Sequence, residues 1–147
     1  PNESILSPHY NTLSKLNCIL ASIEANKHGY DEGIMNDING NISTCNSTNL
    51  FFVQDNKVIT SNGEYCLNGI TRGKTIQLCH ENNIQCNEMN FTFEDIRKCD
   101  EAFVTGTFAG IIPVSKLEGK ELKSTNPSSM VNKIRKLYNK KIEEYIV

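Results

Sequence analysis

The sequence has 147 residues, of which 38% are hydrophobic and 22% charged, and its formal net charge at pH 7 is −2. This length fits one globular domain with a substantial core, and the dispersed Lys and Arg residues argue against nucleic acid or an anionic membrane as a partner. The apolar runs are too short to cross a bilayer and no leader peptide opens the chain, so we expect a soluble, cytoplasmic protein.

A helical periodicity occupies the first part of the chain. Apolar residues recur at helical spacing within TLSKLNCILASIEANKHG, at Leu13, Leu16, Leu20 and Ile23. Gly29 is well placed to end this helix, which we expect to lean on a sheet. Short strand candidates follow, separated by the turn signals NDINGN and QDNK: DEGIMND, NIST, NLFFVQ and KVITS. They predict an antiparallel meander.

Helix and strand signals are interleaved in the second half. A helix is predicted from Thr71 to about Glu81, followed by the extended segment IQCNEM. TFEDIRKC begins with the capping pair Thr92 and Asp95, which predicts a second helix. EAFVTGT and GIIPVSKLEG are strand candidates, and PSSMVNKIRKLYNKKIEEYI is a closing helix that starts near Pro127. This irregular order favours an α+β or mixed α/β domain over a doubly wound parallel sheet.

The six cysteines are dispersed, at positions 18, 45, 66, 79, 86 and 99. No C-x-x-C pair and no nearby histidine array is present, so the spacing indicates no zinc site. We therefore expect reduced, mostly buried thiols and no metal.

The segment CLNGITRGKT, residues 66–75, joins an extended run to the start of a helix. Glycine lets a backbone approach a ligand closely, and the free N–H groups that open a helix attract anions. Thr71 adds a hydroxyl. The segment therefore predicts an anion-binding turn with phosphate as its guest, and a helix start that binds no ligand is the alternative.

Five segments, taken in order, resemble the class IV aminotransferases: LNCILASIEA, GYDEGIMNDINGNIST…NLFFVQDNKVIT, LNGITRGKTIQLC, FEDIRKCDEAFVTGT and AGIIPVSKLEGK. This pyridoxal-phosphate family includes branched-chain and D-amino acid aminotransferases and aminodeoxychorismate lyase. The resemblance implies that residues 1–147 form the large C-terminal domain of a fold-type IV enzyme, with a mostly antiparallel, barrel-like sheet flanked by helices. It also implies that the small N-terminal domain is absent from this chain, which starts without a methionine.

The resemblance assigns pyridoxal 5′-phosphate to the anion-binding turn. It implies that the amides of Ile70 and Thr71 and the Thr71 hydroxyl face the phosphate, beside Gly69, and that Leu67 packs against the pyridine ring.

A second phosphate contact is implied at the VTGTFAG segment. Thr107 corresponds to a phosphate-contacting threonine, and Gly106 would allow the close approach. A strand-end threonine bonded to local backbone is the alternative. Phe108 stands where relatives usually have a small residue, and it has the size to fill the space that receives the substrate carboxylate.

Two positions depart from the chemistry of the family. Asn11 stands where the resemblance places the lysine that bonds to the cofactor aldehyde, and an amide nitrogen cannot form that bond because its lone pair is delocalised. Thr44 stands where the family has a glutamate that keeps the pyridine nitrogen protonated. Lys15, one helical turn after Asn11, is a possible surrogate for the lysine, and a solvated lysine is the alternative.

The remaining polar candidates are interpreted as structural. His9, His28 and His80 have no carboxylate partner that the sequence identifies, and we expect surface or capping roles. Asp100 and Glu101 precede a predicted buried strand, and the resemblance gives them no catalytic part.

Three functions therefore stay open. The first is a domain related to branched-chain or D-amino acid aminotransferases that binds pyridoxal phosphate or phosphate non-covalently but is impaired in transamination, a pseudoenzyme. The second is a working aminotransferase or aminodeoxychorismate lyase-like enzyme that uses Lys15 or a residue of the absent domain. The third is a scaffold or dimerisation domain that has lost the cofactor. The implied partners are an amino acid or 2-oxo acid if the protein is active, and a second copy in a homodimer or a chain that supplies the small domain.

Overall fold

Helices and short strands alternate irregularly along residues 7–108 and 110–146, the part of the chain that the computed structural model describes. The helices are α1 (Leu16–Lys27), α2 (Ile70–Glu81), α3 (Phe93–Ile96) and α4 (Met130–Ile146). The strands are β1 (Ile34–Asn36), β2 (Ile42–Cys45), β3 (Asn49–Gln54), β4 (Lys57–Thr60), β5 (Cys86–Glu88), β6 (Glu101–Gly106), β7 (Gly110–Pro113), β8 (Lys116–Leu117) and β9 (Lys120–Glu121). The predicted α+β class is confirmed.

The central sheet has the strand order β5-β4-β3-β6-β7 within the described residues. Strand β3 pairs with β4 and β6 in antiparallel register, and β4 pairs with β5 in parallel. Both faces of β3 are covered, since its side chains from Asn49 to Val53 are all buried. This double burial explains why NLFFV is a continuous apolar run after its first residue and does not alternate.

Two cores cover the two faces of this sheet. On one face Phe52 packs edge-on against Phe91, with ring centroids 4.9 Å apart. On the other face Phe51 and Phe103 are stacked at 4.8 Å, in a cluster that includes side chains of α2 and α4. Helix α2 is therefore packed against the sheet through Ile76 and Cys79, in its second half.

The predicted meander divides into two hairpins. Strands β1 and β2 pair only with each other in the described part of the chain, whereas β3 pairs with β4 and β6. The turn between β2 and β3 separates them, because the Thr48 carbonyl accepts hydrogen bonds from the Cys45 amide (2.9 Å) and the Thr44 hydroxyl (2.8 Å). These bonds close a tight turn in place of a strand pairing.

Helix α1 differs most from its prediction. It starts at Leu16, after TLSK, and ends at Lys27, before Gly29 in the left-handed region (φ 76°). Its predicted core side chains are 102, 65, 55 and 47% exposed: Leu13, Leu16, Leu20 and Ile23. Ala25 is the one buried residue of the helix. The apolar face that the periodicity identified is thus uncovered among the described residues and does not pack on the sheet as predicted.

The other helices follow their local signals. Helix α2 begins one residue before the predicted Thr71, and α3 is a four-residue helix opened by a capping box. In this box the Asp95 carboxylate accepts hydrogen bonds from the Thr92 amide (2.8 Å) and hydroxyl (2.9 Å), which lower its pKa. Helix α4 starts at Met130, a little later than predicted. No helix within the described ranges is long and apolar enough to cross a lipid bilayer.

The cysteines are free, and all but the half-buried Cys18 are buried, as predicted. Burial raises the pKa of Cys45 to about 12, and the nearby carboxylate of Glu32 contributes in the same direction. This thiol therefore stays protonated at neutral pH.

Candidate functional site

A cavity of about 440 Å³ lies between the segment that leads into α1, the β2–β3 turn and the strand-like segment before α2. Hydroxyl and amide side chains are the commonest residue types in its lining, beside apolar ones such as Leu16 and Met35. Lys15 is the one charged residue among the described residues that line it. Thr44 and Leu67 also line it, so three of the predicted site residues share one cavity.

Asn11 and Lys15 interact directly. The Lys15 ammonium donates to the Asn11 side-chain oxygen at 2.9 Å, across one helical turn of sequence separation. No carboxylate lies within ion-pair distance of Lys15 in the described part of the protein. The cavity therefore carries a positive charge that a bound anion can neutralise.

Thr44 presents a neutral oxygen to the cavity. Its hydroxyl proton is donated to the Thr48 carbonyl, so only lone pairs remain for a ligand. The cavity lining contains no Asp or Glu among the described residues, and the nearby Glu32 carboxylate accepts a hydrogen bond from the lining residue Ser47.

The anion-binding turn, which we define as residues 67–72, leaves three backbone donors without acceptors. The first intrahelical hydrogen bond runs from the Gly73 amide to the Gly69 carbonyl (3.0 Å), and no side chain caps the helix. Within the described residues the amides of Ile70, Thr71 and Arg72 therefore have no partner. Unpaired amides at the positive end of a helix form an anion site.

Gly69 adopts an ordinary backbone conformation, and its missing side chain leaves room for a neighbouring residue. Its φ of −60° and ψ of 142° are accessible to any residue, so no special backbone freedom is used. A Cβ at this position would lie 2.6 Å from the Asn49 side-chain oxygen. The absent side chain of Gly69 therefore makes room for Asn49, whose amide donates to the Leu67 carbonyl at 3.0 Å.

Asn49 and Arg72 are the residues that the sequence prediction missed. Asn49 is 8% exposed and opens the apolar strand β3, a signal that a buried amide has a specific partner. The Arg72 side chain is 5% exposed and donates at 2.6 Å to both the Ser61 carbonyl and the Glu88 carboxylate. A positive charge in the first turn of a helix is unfavourable because it meets the positive end of the helix dipole. Arg72 at this position therefore also indicates a specific partner for its side chain.

The second predicted phosphate contact lies in the turn after β6. Thr107 is exposed and makes no hydrogen bond to a described residue. Thr105 is 1% exposed and its hydroxyl also has no partner among the described residues. A Cβ at Gly106 would lie 3.4 Å from the Thr48 methyl group, an ordinary contact, so space alone does not require glycine there. Phe108 is 106% exposed and is not among the residues that line the cavity.

The residues interpreted as structural make structural contacts. Glu101 accepts a hydrogen bond from the Val131 amide at the start of α4 (3.0 Å), and Asp100 forms an exposed ion pair with Lys123. His28 has a carboxylate partner that the sequence reading missed, the glutamate one helical turn earlier at 3.1 Å. Both side chains of that pair are exposed, in keeping with a surface role.

The sequence matches a family profile and several relatives that are all described as aminotransferases. The sequence profile of the amino-transferase class IV family matches residues 2–117. The branched-chain-amino-acid aminotransferase-like protein 2 of Arabidopsis thaliana is 34% identical over 140 residues, which are 95% of this chain and 25% of that protein. A putative branched-chain-amino-acid aminotransferase of Methanocaldococcus jannaschii is 33% identical over 91% of this chain and 47% of its own length.

The fold has close counterparts among solved structures. The branched-chain amino acid aminotransferase of Thermobaculum terrenum, in its PLP-form (holo-form), superposes with a TM-score of 0.91 at 30% identity, over 97% of this chain and 47% of that one. The chain thus spans a quarter to a half of the length of these relatives.

Proposed function

Because the chain belongs to the class IV aminotransferase family, we propose that it is the large, cofactor-binding half of a protein related to the branched-chain aminotransferases. In this proposal residues 1–147 hold pyridoxal 5′-phosphate through its phosphate group, without a covalent bond, and transamination is impaired. The small domain that completes the substrate pocket would come from a region or chain outside this sequence.

The three unpaired amides of the anion-binding turn are the observation that carries the proposal. The N–H groups of Ile70, Thr71 and Arg72 need acceptors, and a phosphate dianion supplies several acceptor oxygens. The Thr71 hydroxyl makes no hydrogen bond to a described residue and would donate to the same group, as would Thr107. Leu67, 40% exposed at the cavity wall, would pack against the ring. The residues present therefore fit the phosphate end of the cofactor.

The chemical end of the site fits poorly. When bound, the cofactor supplies an aldehyde that takes up an amino group and a ring that withdraws electrons. The Asn11 amide cannot bond to that aldehyde, and its oxygen is occupied by Lys15. Thr44 offers a neutral oxygen where a carboxylate would hold a positive charge on the ring nitrogen. The described residues therefore support binding of the cofactor more strongly than the proton transfers of transamination.

A working enzyme that uses Lys15 is the second candidate. The observation that favours it is the position of this side chain, which lines the same cavity as Thr44 and Leu67. To act as a nucleophile the amine must lose its proton and its bond to Asn11. Its substrates would be an amino acid and a 2-oxo acid.

The third candidate is a scaffold or dimerisation domain. The uncovered apolar face of α1 favours it, because exposed apolar patches of this kind mark contacts with another protein surface. A second copy of the chain, or the partner that carries the small domain, would supply that surface.

One experiment separates the three candidates. Pyridoxal 5′-phosphate is titrated into the chain, the melting temperature is recorded, and the mixture is reduced with borohydride before peptide mapping. Saturable stabilisation that inorganic phosphate competes away, without a reduced adduct, is the expected result. An adduct on Lys15 that is lost in Lys15→Met and kept in the control Lys27→Met would establish the second candidate. No stabilisation by either ligand would contradict the first candidate and favour the scaffold.

A gain-of-function variant tests the residue assignments. Asn11→Lys combined with Thr44→Glu should form a reducible covalent adduct at position 11 when the small domain is supplied. If this double variant binds the cofactor no better than the parent, the positions assigned to the lysine and the glutamate are wrong.

A further inference from the structure

Asn49 links the central sheet to the anion-binding turn. It is the first residue of β3, and its cross-strand neighbour on β6 is Thr105. Its amide nitrogen donates to the Leu67 carbonyl at 3.0 Å and lies 3.7 Å from the Cys66 sulfur. Only 8% of the Asn49 surface is exposed, so neighbouring atoms restrain its side chain. Its hydrogen bond to the Leu67 carbonyl connects it to the anion-binding turn.

The Leu67 carbonyl, which accepts this hydrogen bond, lies where the chain reverses direction. The Leu67 oxygen also accepts the Gly69 amide at 2.9 Å, so the chain reverses over three residues. Such short turns are weak when they stand alone. The second hydrogen bond, from Asn49, ties the turn to the rigid sheet. Helix α2 begins immediately after, so the position of its first amides depends on this tie.

Steric contact reinforces the hydrogen bond. A Cβ at Gly69 would come within 2.6 Å of the Asn49 side-chain oxygen, far inside normal contact. To relieve this contact the Asn49 side chain would have to move, and its amide is the group that donates to Leu67. The two residues are therefore coupled, although twenty positions separate them in sequence.

We infer that Asn49 is a positioning residue for anion binding: it holds the turn at Leu67 and Gly69 so that the unpaired amides of α2 can converge on one phosphate. This inference rests on the proposed function. It assigns Asn49 no chemical step. Thr105 lies opposite Asn49 in the sheet register, and its buried hydroxyl has no partner among the described residues.

The test measures the affinity for inorganic phosphate and for pyridoxal 5′-phosphate by calorimetry, at a temperature where far-UV circular dichroism shows each variant folded. Asn49→Ala and Gly69→Ala should each weaken binding about tenfold or more, as expected if displacement of the turn costs one charge-assisted hydrogen bond between an α2 amide and the phosphate. Gly73→Ala, at a helical glycine with open space around it, is the matched control and should keep the parental affinity.

Two further variants separate positioning from stability. In the double variant Asn49→Ala/Gly69→Ala the steric conflict is gone, so the melting temperature should recover part of the loss caused by Gly69→Ala, while the affinity stays low. Asn49→Asp is nearly isosteric, but its carboxylate would repel the anion. Its affinity relative to the parent should fall as the pH rises through the pKa of that carboxyl.

The outcomes distinguish the inference from the proposed function. If the parent binds phosphate or the cofactor and both Asn49→Ala and Asn49→Asp bind within twofold of it, Asn49 has no positioning role. If the parent binds neither probe, the proposed function is wrong and the inference falls with it.

Discussion

The substitution Glu88→Ala should remove the partner of a buried cation while leaving the cation in place. The Arg72 side chain is 5% exposed, and its terminal nitrogen donates at 2.6 Å to the Glu88 carboxylate and to the Ser61 carbonyl. Its Nε is buried without any partner among the described residues. After the substitution, the Ser61 carbonyl would be the one remaining acceptor for the Arg72 guanidinium among the described residues.

The expected cost follows from this geometry. Removing one partner of a fully buried pair costs roughly 3 to 5 kcal/mol, but the Glu88 side chain is 44% exposed, and water can replace part of what it supplies. We therefore expect a loss of about 2 kcal/mol in the free energy of unfolding, which corresponds to a fall of about 6 °C in melting temperature for a chain of this size.

A matched control is available on the surface. Arg97 and Glu118 form a pair of similar length, 2.7 Å, with side chains 60 and 41% exposed. Glu118→Ala should lower the melting temperature by less than about 2 °C, because solvent screens an exposed pair. Urea unfolding and thermal melts of both variants, with unchanged m-values, would measure the difference. Equal losses in the two variants would show that burial of the guanidinium does not set the cost.

Two other predictions concern α3 and α1. Asp95→Ala should lower the melting temperature by a few degrees at pH 7. The Thr92 hydrogen bonds lower the pKa of Asp95 in the folded state. The stabilisation by Asp95 is therefore fully present above the pKa of the unfolded chain and is lost as the pH falls through the pKa of the folded state. A difference between parent and variant that persisted in acid would contradict this. On α1, Leu20→Lys should change the melting temperature by less than about 2 °C, whereas Ala25→Lys should lower it by several degrees. A larger fall in melting temperature for Leu20→Lys than for Ala25→Lys would mean that the predicted apolar face is buried.

Local signals in this sequence predicted local structure well. The capping box of Thr92 and Asp95 lies within four residues and forms as predicted, and the start of α2 was predicted to within one residue. Such signals work because the interacting groups are close in sequence, so the chain fixes their geometry before tertiary packing.

Signals that depend on distant partners were missed or misread. Asn49 contacts a carbonyl 18 residues later, and the Arg72 guanidinium meets a carboxylate 16 residues later, and no periodicity encodes either pairing. Gly69 was predicted as a ligand contact, and its closeness to the Asn49 side chain, twenty residues earlier, was not foreseen. Site residues chosen by family resemblance came together only in part, with Thr44, Lys15 and Leu67 in one cavity and Phe108 outside it.

The uncovered apolar face of α1 borders the cavity, because Leu16 belongs to both. Helical periodicity shows which side chains share a face, but whether that face meets the sheet or another protein depends on surfaces that periodicity does not encode. Leu16 is 65% exposed and also lines the cavity, as does Tyr10 at 68%. A body that buried these two side chains would also remove water from the cavity, and electrostatic contacts with a bound anion strengthen as water leaves. The phosphate affinity of the chain alone is therefore expected to be a lower bound on its affinity in the assembly that we propose.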